Sequence, residues 1–189
     1  MIKLLTSISL MAALLSCTNN DRKENTPSTK DSIAVVGANK SVDSLTPDGY
    51  FSIGKDSILI SPFEIAVSLS PRAEERIKQG KETIIVHVFF TGTPRDSSGA
   101  ELEEDGSFHV AATKKEIVYG QVARFDNVRF SHKIYDQLAD KDIELGVNVY
   151  SGRKSSPDNL LNCESLFDKI SHVAHKRFTL EGKLIYGDD

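Results

Sequence analysis

Two runs of strict alternation set the terms for this chain. In Phe63-Glu64-Ile65-Ala66-Val67-Ser68-Leu69 every second residue is a large apolar one, and in Ile143 to Tyr150 the apolar Ile143, Leu145, Val147 and Val149 alternate with Glu144, Gly146, Asn148 and Tyr150. A period of two gathers apolar side chains on one side only when the backbone is extended, because a helix would scatter them around its circumference. The core is therefore expected to be built from half-buried strands. Thr83 to Phe90 is apolar on both faces apart from His87, which suits a central strand buried on both sides, with His87 a hydrogen-bonded core residue beside Ile85 and Phe89. Phe108 to Ala111, Glu116 to Tyr119, Val122 to Phe125 and Val128 to Phe130 each read as a short strand, with turn residues between them. Phe178 to Leu180 and Lys183 to Tyr186 close the chain as one or two more. Tyr50 to Ile53 and Ile58 to Ile60 supply either the first strands or a lead-in lying on the fold.

Two short helices interrupt this pattern. Ser70-Pro71 reads as an N-cap followed by a first-turn proline, with Glu74 and Glu75 early, Ala73 and Ile77 on one face, and Gly80 closing the segment. Ser131 caps a second, in which Ile134 and Leu138 stand one turn apart. Six to eight strands with two small helical insertions predict a mainly β protein, a β-sandwich, with a small closed barrel as the second choice. The part of the chain carrying these elements, about 130 residues, is enough for one core and not for two.

The first residues obey a different rule. Met1 to Ser16 carries one charged side chain, Lys3, and an apolar run from Leu4 to Leu15, which is too short for the roughly 20 residues a membrane span needs. It ends Leu14-Leu15-Ser16-Cys17, which resembles the lipobox of bacterial lipoproteins. That resemblance implies cleavage before Cys17, acylation of Cys17 as the mature N-terminus and a membrane anchor, and the absence of Asp after the cysteine implies sorting to the outer membrane. The expected layout is a signal peptide over 1–16, a lipidated N-terminus and solvated tether over 17–48, rich in Asn, Ser, Thr, Lys, Asp and Glu, and a β-sandwich over 49–189.

Removing the signal takes away Lys3, so 23 basic side chains become 22 against 27 acidic ones and the net charge moves from -4 to about -5. With no dense Lys/Arg block, nucleic acid is not an expected partner. Once Cys17 is acylated, Cys163 is the only cysteine left, which rules out an internal disulfide.

The stretch from Ser151 to Glu164 is neither plain strand nor plain turn. Val147 to Arg153 and Ser156 to Leu161, together with Leu69-Ser70-Pro71 and Glu82 to Val86, resemble segments of uncharacterised bacterial envelope lipoproteins, a likeness spanning Phe63 to Ile185 that assigns no site. From the residues themselves, Arg153, Lys154, Asp158, Asn159 and Asn162 form a candidate binding loop at one end of the sandwich. The plainer alternative has Ser156 capping a turn of helix from Pro157, with Leu160 and Leu161 plugging the core.

No catalytic residue, metal or cofactor is expected. Cys163 lies among leucines and Phe167, as a small buried hydrophobe does, and Glu164 beside it would raise a thiol pKa rather than lower it. His172 and His175 near Asp168 lack a third metal ligand. Glu101, Glu103, Glu104 and Asp105 lack the spacing of a calcium loop and read as a solvated hairpin. Nucleotide, hydrolase and zinc-protease motifs do not occur. Two functional classes remain: a tethered module that binds or braces another envelope component, including an accessory lipoprotein of a secretion apparatus, and an envelope hydrolase using Cys163 or a His/carboxylate pair.

Overall fold

The computed structural model describes residues 43–96, 99–104 and 106–187. The signal segment, Cys17 and nearly all of the tether lie outside the described residues. The chain enters through β1 (Ser44–Leu45), β2 (Phe51–Ile53) and β3 (Ile58–Ile60), then β4 (Phe63–Leu69) and α1 (Pro71–Gln79). Next come β5 (Ile84–Gly92), β6 (Phe108–Ile117), β7 (Ala123–Phe125), β8 (Arg129–Phe130) and α2 (His132–Gln137). The remainder is β9 (Glu144–Ser151), β10 (Leu161–Cys163), β11 (Leu166–Lys169), α3 (Ile170–Val173) and β12 (Arg177–Leu184).

The protein is mainly β, and its two larger sheets make a β-sandwich. One sheet runs β10-β12-β4-β7 and the other β11-β9-β5-β6, while β1-β2-β3-β8 forms a smaller third. The alternating faces meet in between. Ile65 and Val67 of β4, Val86 and Val88 of β5 and Leu145 and Val147 of β9 are all buried, and the Phe63 ring meets Phe90 edge-on at 6.1 Å. In the third sheet Phe51 packs edge-on against Phe130 and Tyr135, at 5.9 and 5.6 Å. β1 lies in the stretch read as tether, and Leu45 pairs with Ser52.

Both expected helices are present with their caps. Ser70 Oγ accepts the Ala73 N–H at 3.4 Å and Ser131 Oγ the Ile134 N–H at 3.3 Å. α1 buries Ala73 and Ile77, the pair that the sequence placed on its inner face. A third helix of one turn, α3, buries Ile170 and Val173.

Four details differ from the sequence reading. First, Phe108–Ala111 and Glu116–Ile117 belong to one ten-residue strand, β6. The polar stretch between them has little to bury, but the ladder with β5 carries it through Lys114↔His87 and Lys115↔Val86. Second, β5 is central but fully buried on one face only, through Ile84, Val86, Val88 and Phe90. Third, His87 is on the other, part-exposed face rather than in the core. Fourth, no helix follows Ser156, whose hydroxyl accepts the Asp158 N–H at 3.2 Å in a tight turn. Leu161 is instead the buried first residue of β10.

Candidate binding groove

The outer face of the second sheet is set by register. Its side chains stand in cross-strand rows: Tyr150, Ile85, Glu116; then Asn148, His87, Lys114; then Phe167, Gly146, Phe89, Ala112. In the third row the two smallest residues flank a phenylalanine, and the packing shows why. A Cβ at Gly146 would run into the Phe89 ring, which lies across the glycine. Phe167 meets that ring edge-on at 6.0 Å and is itself 72% exposed. Phe167 is among the most exposed large apolar side chains of the described residues. His87 flanks Phe89 on the other side, with ring centroids 6.1 Å apart.

Beyond these rings the face opens into a groove of about 850 Å³, lined by Ile85, Lys114, Asn148, Tyr150, Arg153 and Asn159 among others. One end is walled by the loop after β9, and that loop is held by a residue the sequence reading passed over. Glu82 is only 2% exposed. Its carboxylate accepts the backbone N–H groups of Lys154 at 2.8 Å, Ser155 at 2.7 Å and Thr83 at 3.0 Å, and the Ser155 hydroxyl at 2.8 Å. Burial pushes its pKa up, but these hydrogen bonds outweigh burial and leave it below the ordinary carboxylate value. The loop is tied down further where the Gly152 N–H donates to Thr83 O at 2.8 Å. A side chain at Gly152 would collide with Thr83 Oγ1.

The five predicted loop residues have different fates. Arg153 lines the groove, has no hydrogen-bond or ion-pair partner among the described residues, and holds φ at +59°, a left-handed conformation that an arginine adopts at a cost. Lys154 pairs across the rim with Glu116 at 3.0 Å. Asn159 borders the groove, but its side chain is a clamp. Its Oδ1 accepts Ser151 N–H at 2.9 Å and Leu161 N–H at 3.1 Å, while its Nδ2 donates to Leu161 O at 2.8 Å. Asp158 is exposed in the turn. Asn162 stands on β10 and lines a separate cleft of about 500 Å³ over the first sheet. The loop therefore contributes Arg153 to the groove as a free side chain, and sequence reasoning missed Lys114, Asn148, Tyr150, Phe89 and Phe167.

Cys163 lines that second cleft with Glu164 and Glu181. Burial pushes its thiol up to about 11, so at neutral pH it is a protonated thiol and a poor nucleophile. His172 Nδ1 lies 2.7 Å from Asp168 Oδ1, both on the surface, and this contact lowers the Asp168 pKa. His175 points elsewhere, its Nε2 3.4 Å from Gly49 O. Among the described residues no group of three or more His, Cys, Asp or Glu side chains is arranged to hold a metal ion. In the acidic loop Glu101, Glu103 and Glu104 are exposed, and Asp105 lies outside the described residues.

Comparison with known proteins returns no matching family model, no matching curated protein and no matching solved structure.

Proposed function

We propose that this chain is a lipid-anchored module of the bacterial cell envelope, held to the outer membrane by acyl chains on Cys17, that binds another envelope component through the outer face of its second sheet. The observation that carries the reading is the groove. Lys114, Asn148, Tyr150 and Arg153 converge there without a hydrogen-bond or ion-pair partner among the described residues, beside the part-buried Phe89 and the exposed Phe167. Polar side chains left unengaged next to uncovered aromatic surface form a recognition surface rather than part of the fold's own bonding. Among the described residues no helix is long and apolar enough to cross a membrane, and in this reading attachment rests on the acyl chains, whose binding grows by about 0.8 kcal/mol per buried CH₂.

Two measurements test the two halves separately. Cys17→Ser should abolish lipid labelling and move the protein out of the membrane fraction; an unchanged fraction sinks the anchor. Cross-linking in intact envelopes followed by pull-down should recover a component that Arg153→Ala with Phe167→Ala no longer recovers. Undiminished recovery by that double variant removes the groove from the interaction.

A further inference from the structure

We infer that the groove's ligand is a short acidic oligosaccharide, a carboxylated glycan lying along β5 and β9. The inference rests on the binding-module reading and names the chemistry of what that module holds. Three features of the groove lead to it.

The first is shape. From Ile85, which lines the groove, the same face of β5 continues four residues, about 13 Å at 3.3 Å per residue, to Phe89 and its edge-on neighbour Phe167, which adjoin the groove rather than line it. Flat sugar rings present C–H bonds that sit favourably on the electron-rich face of an aromatic ring, and their hydroxyls suit the side chains of Asn148 and Tyr150, which can both donate and accept.

The second is that the two central strands along which the ligand would lie, β5 and β9, are each paired on both sides. An extended peptide gains affinity on a sheet by pairing its backbone with an unpaired strand. β5 lies between β6 and β9, and β9 lies between β5 and β11, so along these two strands a ligand meets side chains and not an open backbone ladder. At the β11 edge the Ile170 N–H turns inward to Ile143 O at 2.8 Å. The Lys169 N–H therefore faces outward, and the Asp168 carboxylate occupies it at 2.8 Å.

The third is charge. The chain as a whole carries a net charge of -4, yet Lys114 and Arg153 enter the groove with no acidic partner among the described residues. The carboxylate that lines the groove among the described residues, Glu116, is already engaged by the Thr83 hydroxyl at 2.7 Å and Lys154 at 3.0 Å. Local positive charge in a negative protein selects a ligand bearing carboxylates.

The test titrates the full lipidated chain in detergent micelles with trigalacturonic acid, with neutral cellotriose and with hexaglutamate, by calorimetry. Trigalacturonic acid should bind roughly tenfold tighter than cellotriose at low salt, an advantage that shrinks as salt screens the charges. Lys114→Gln with Arg153→Gln should erase the advantage and leave the weak cellotriose binding intact. Phe167→Ala, at an exposed position that leaves the fold unchanged, should weaken both sugars. Equal affinities for the two sugars overturn the acidic requirement, and no heat with trigalacturonic acid, or tighter binding of hexaglutamate through the same two cations, overturns the saccharide. If envelope pull-down still depends on the groove while no sugar binds, the module reading stands and the glycan falls. If neither depends on it, both fall.

Discussion

Glu82 and Ser155 are 73 residues apart, yet the serine gives the buried carboxylate both its backbone N–H, at 2.7 Å, and its hydroxyl, at 2.8 Å. Among the described residues no cation shares that carboxylate; it is balanced by N–H and O–H dipoles. A single carboxylate two residues ahead of β5 thus fixes the loop after β9, and with it the position of Arg153.

Glu82→Gln should lower stability at neutral pH by about 1 to 3 kcal/mol, since an amide cannot accept on both arms and leaves buried donors short. The pH dependence has a definite sign. The folded pKa of Glu82 lies below its ordinary 4.5, so its stabilisation is complete above that value and drains as pH falls through the folded pKa. Urea melts from pH 7 down to about pH 3 should therefore show the gap between the native protein and the variant closing on the acid side. A constant gap would contradict the assignment.

Val147 is fully buried, so Val147→Ala should cost about 1 to 3 kcal/mol for the cavity it leaves. Arg153→Ala should change stability by no more than about 0.5 kcal/mol. Arg153→Gly, which relieves the left-handed backbone, should unfold no earlier than the native protein. If both Arg153 variants melt with Val147→Ala, the arginine is structural.

Gly146→Ala should destabilise the second sheet by about 1 to 3 kcal/mol, because the added methyl displaces the Phe89 ring. Combined with Phe89→Ala, the same substitution should cost much less than the two single changes added together. Additive costs in a double-mutant cycle would show that ring and glycine do not press on one another.

With its thiol pushed up to about 11, Cys163 should be less than about one part in a thousand thiolate at pH 7.5. Maleimide should label it slowly in the native protein and quickly in urea, with the native rate climbing as pH approaches 11. Fast labelling at neutral pH would restore it as a nucleophile.

The sequence displayed what depends on neighbours along the chain. Alternation identified β4 and β9, Ser70 and Ser131 announced their helices, and Arg153 was picked out by its polar loop. What it hid depends on partners across the sheet. Lys114 and Lys115 looked like a break between two strands because their order comes from pairing with His87 and Val86. His87 looked buried because apolar neighbours surround it in sequence, whereas the outer face of β5 is only partly covered among the described residues. Glu82 carried one usable signal, an acidic residue directly before an apolar strand, but nothing local says that a loop 70 residues later will cover it. Asn159 was noticed for the right reason, its polarity, and given the wrong use, since all of its bonding goes to Ser151 and Leu161.

The parallel pairing of β12 with β4, from Arg177↔Glu64 to Gly182↔Leu69, bears on how the molecule is made. A ribosome releases β4 more than a hundred residues before this neighbour exists, so over that whole interval one edge of the strand lacks its partner. The first sheet cannot be completed until β12 is delivered, and contacts so distant in sequence form slowly. A chain stopped short of Arg177 should thus be recovered in inclusion bodies or by chaperones rather than as a smaller stable domain.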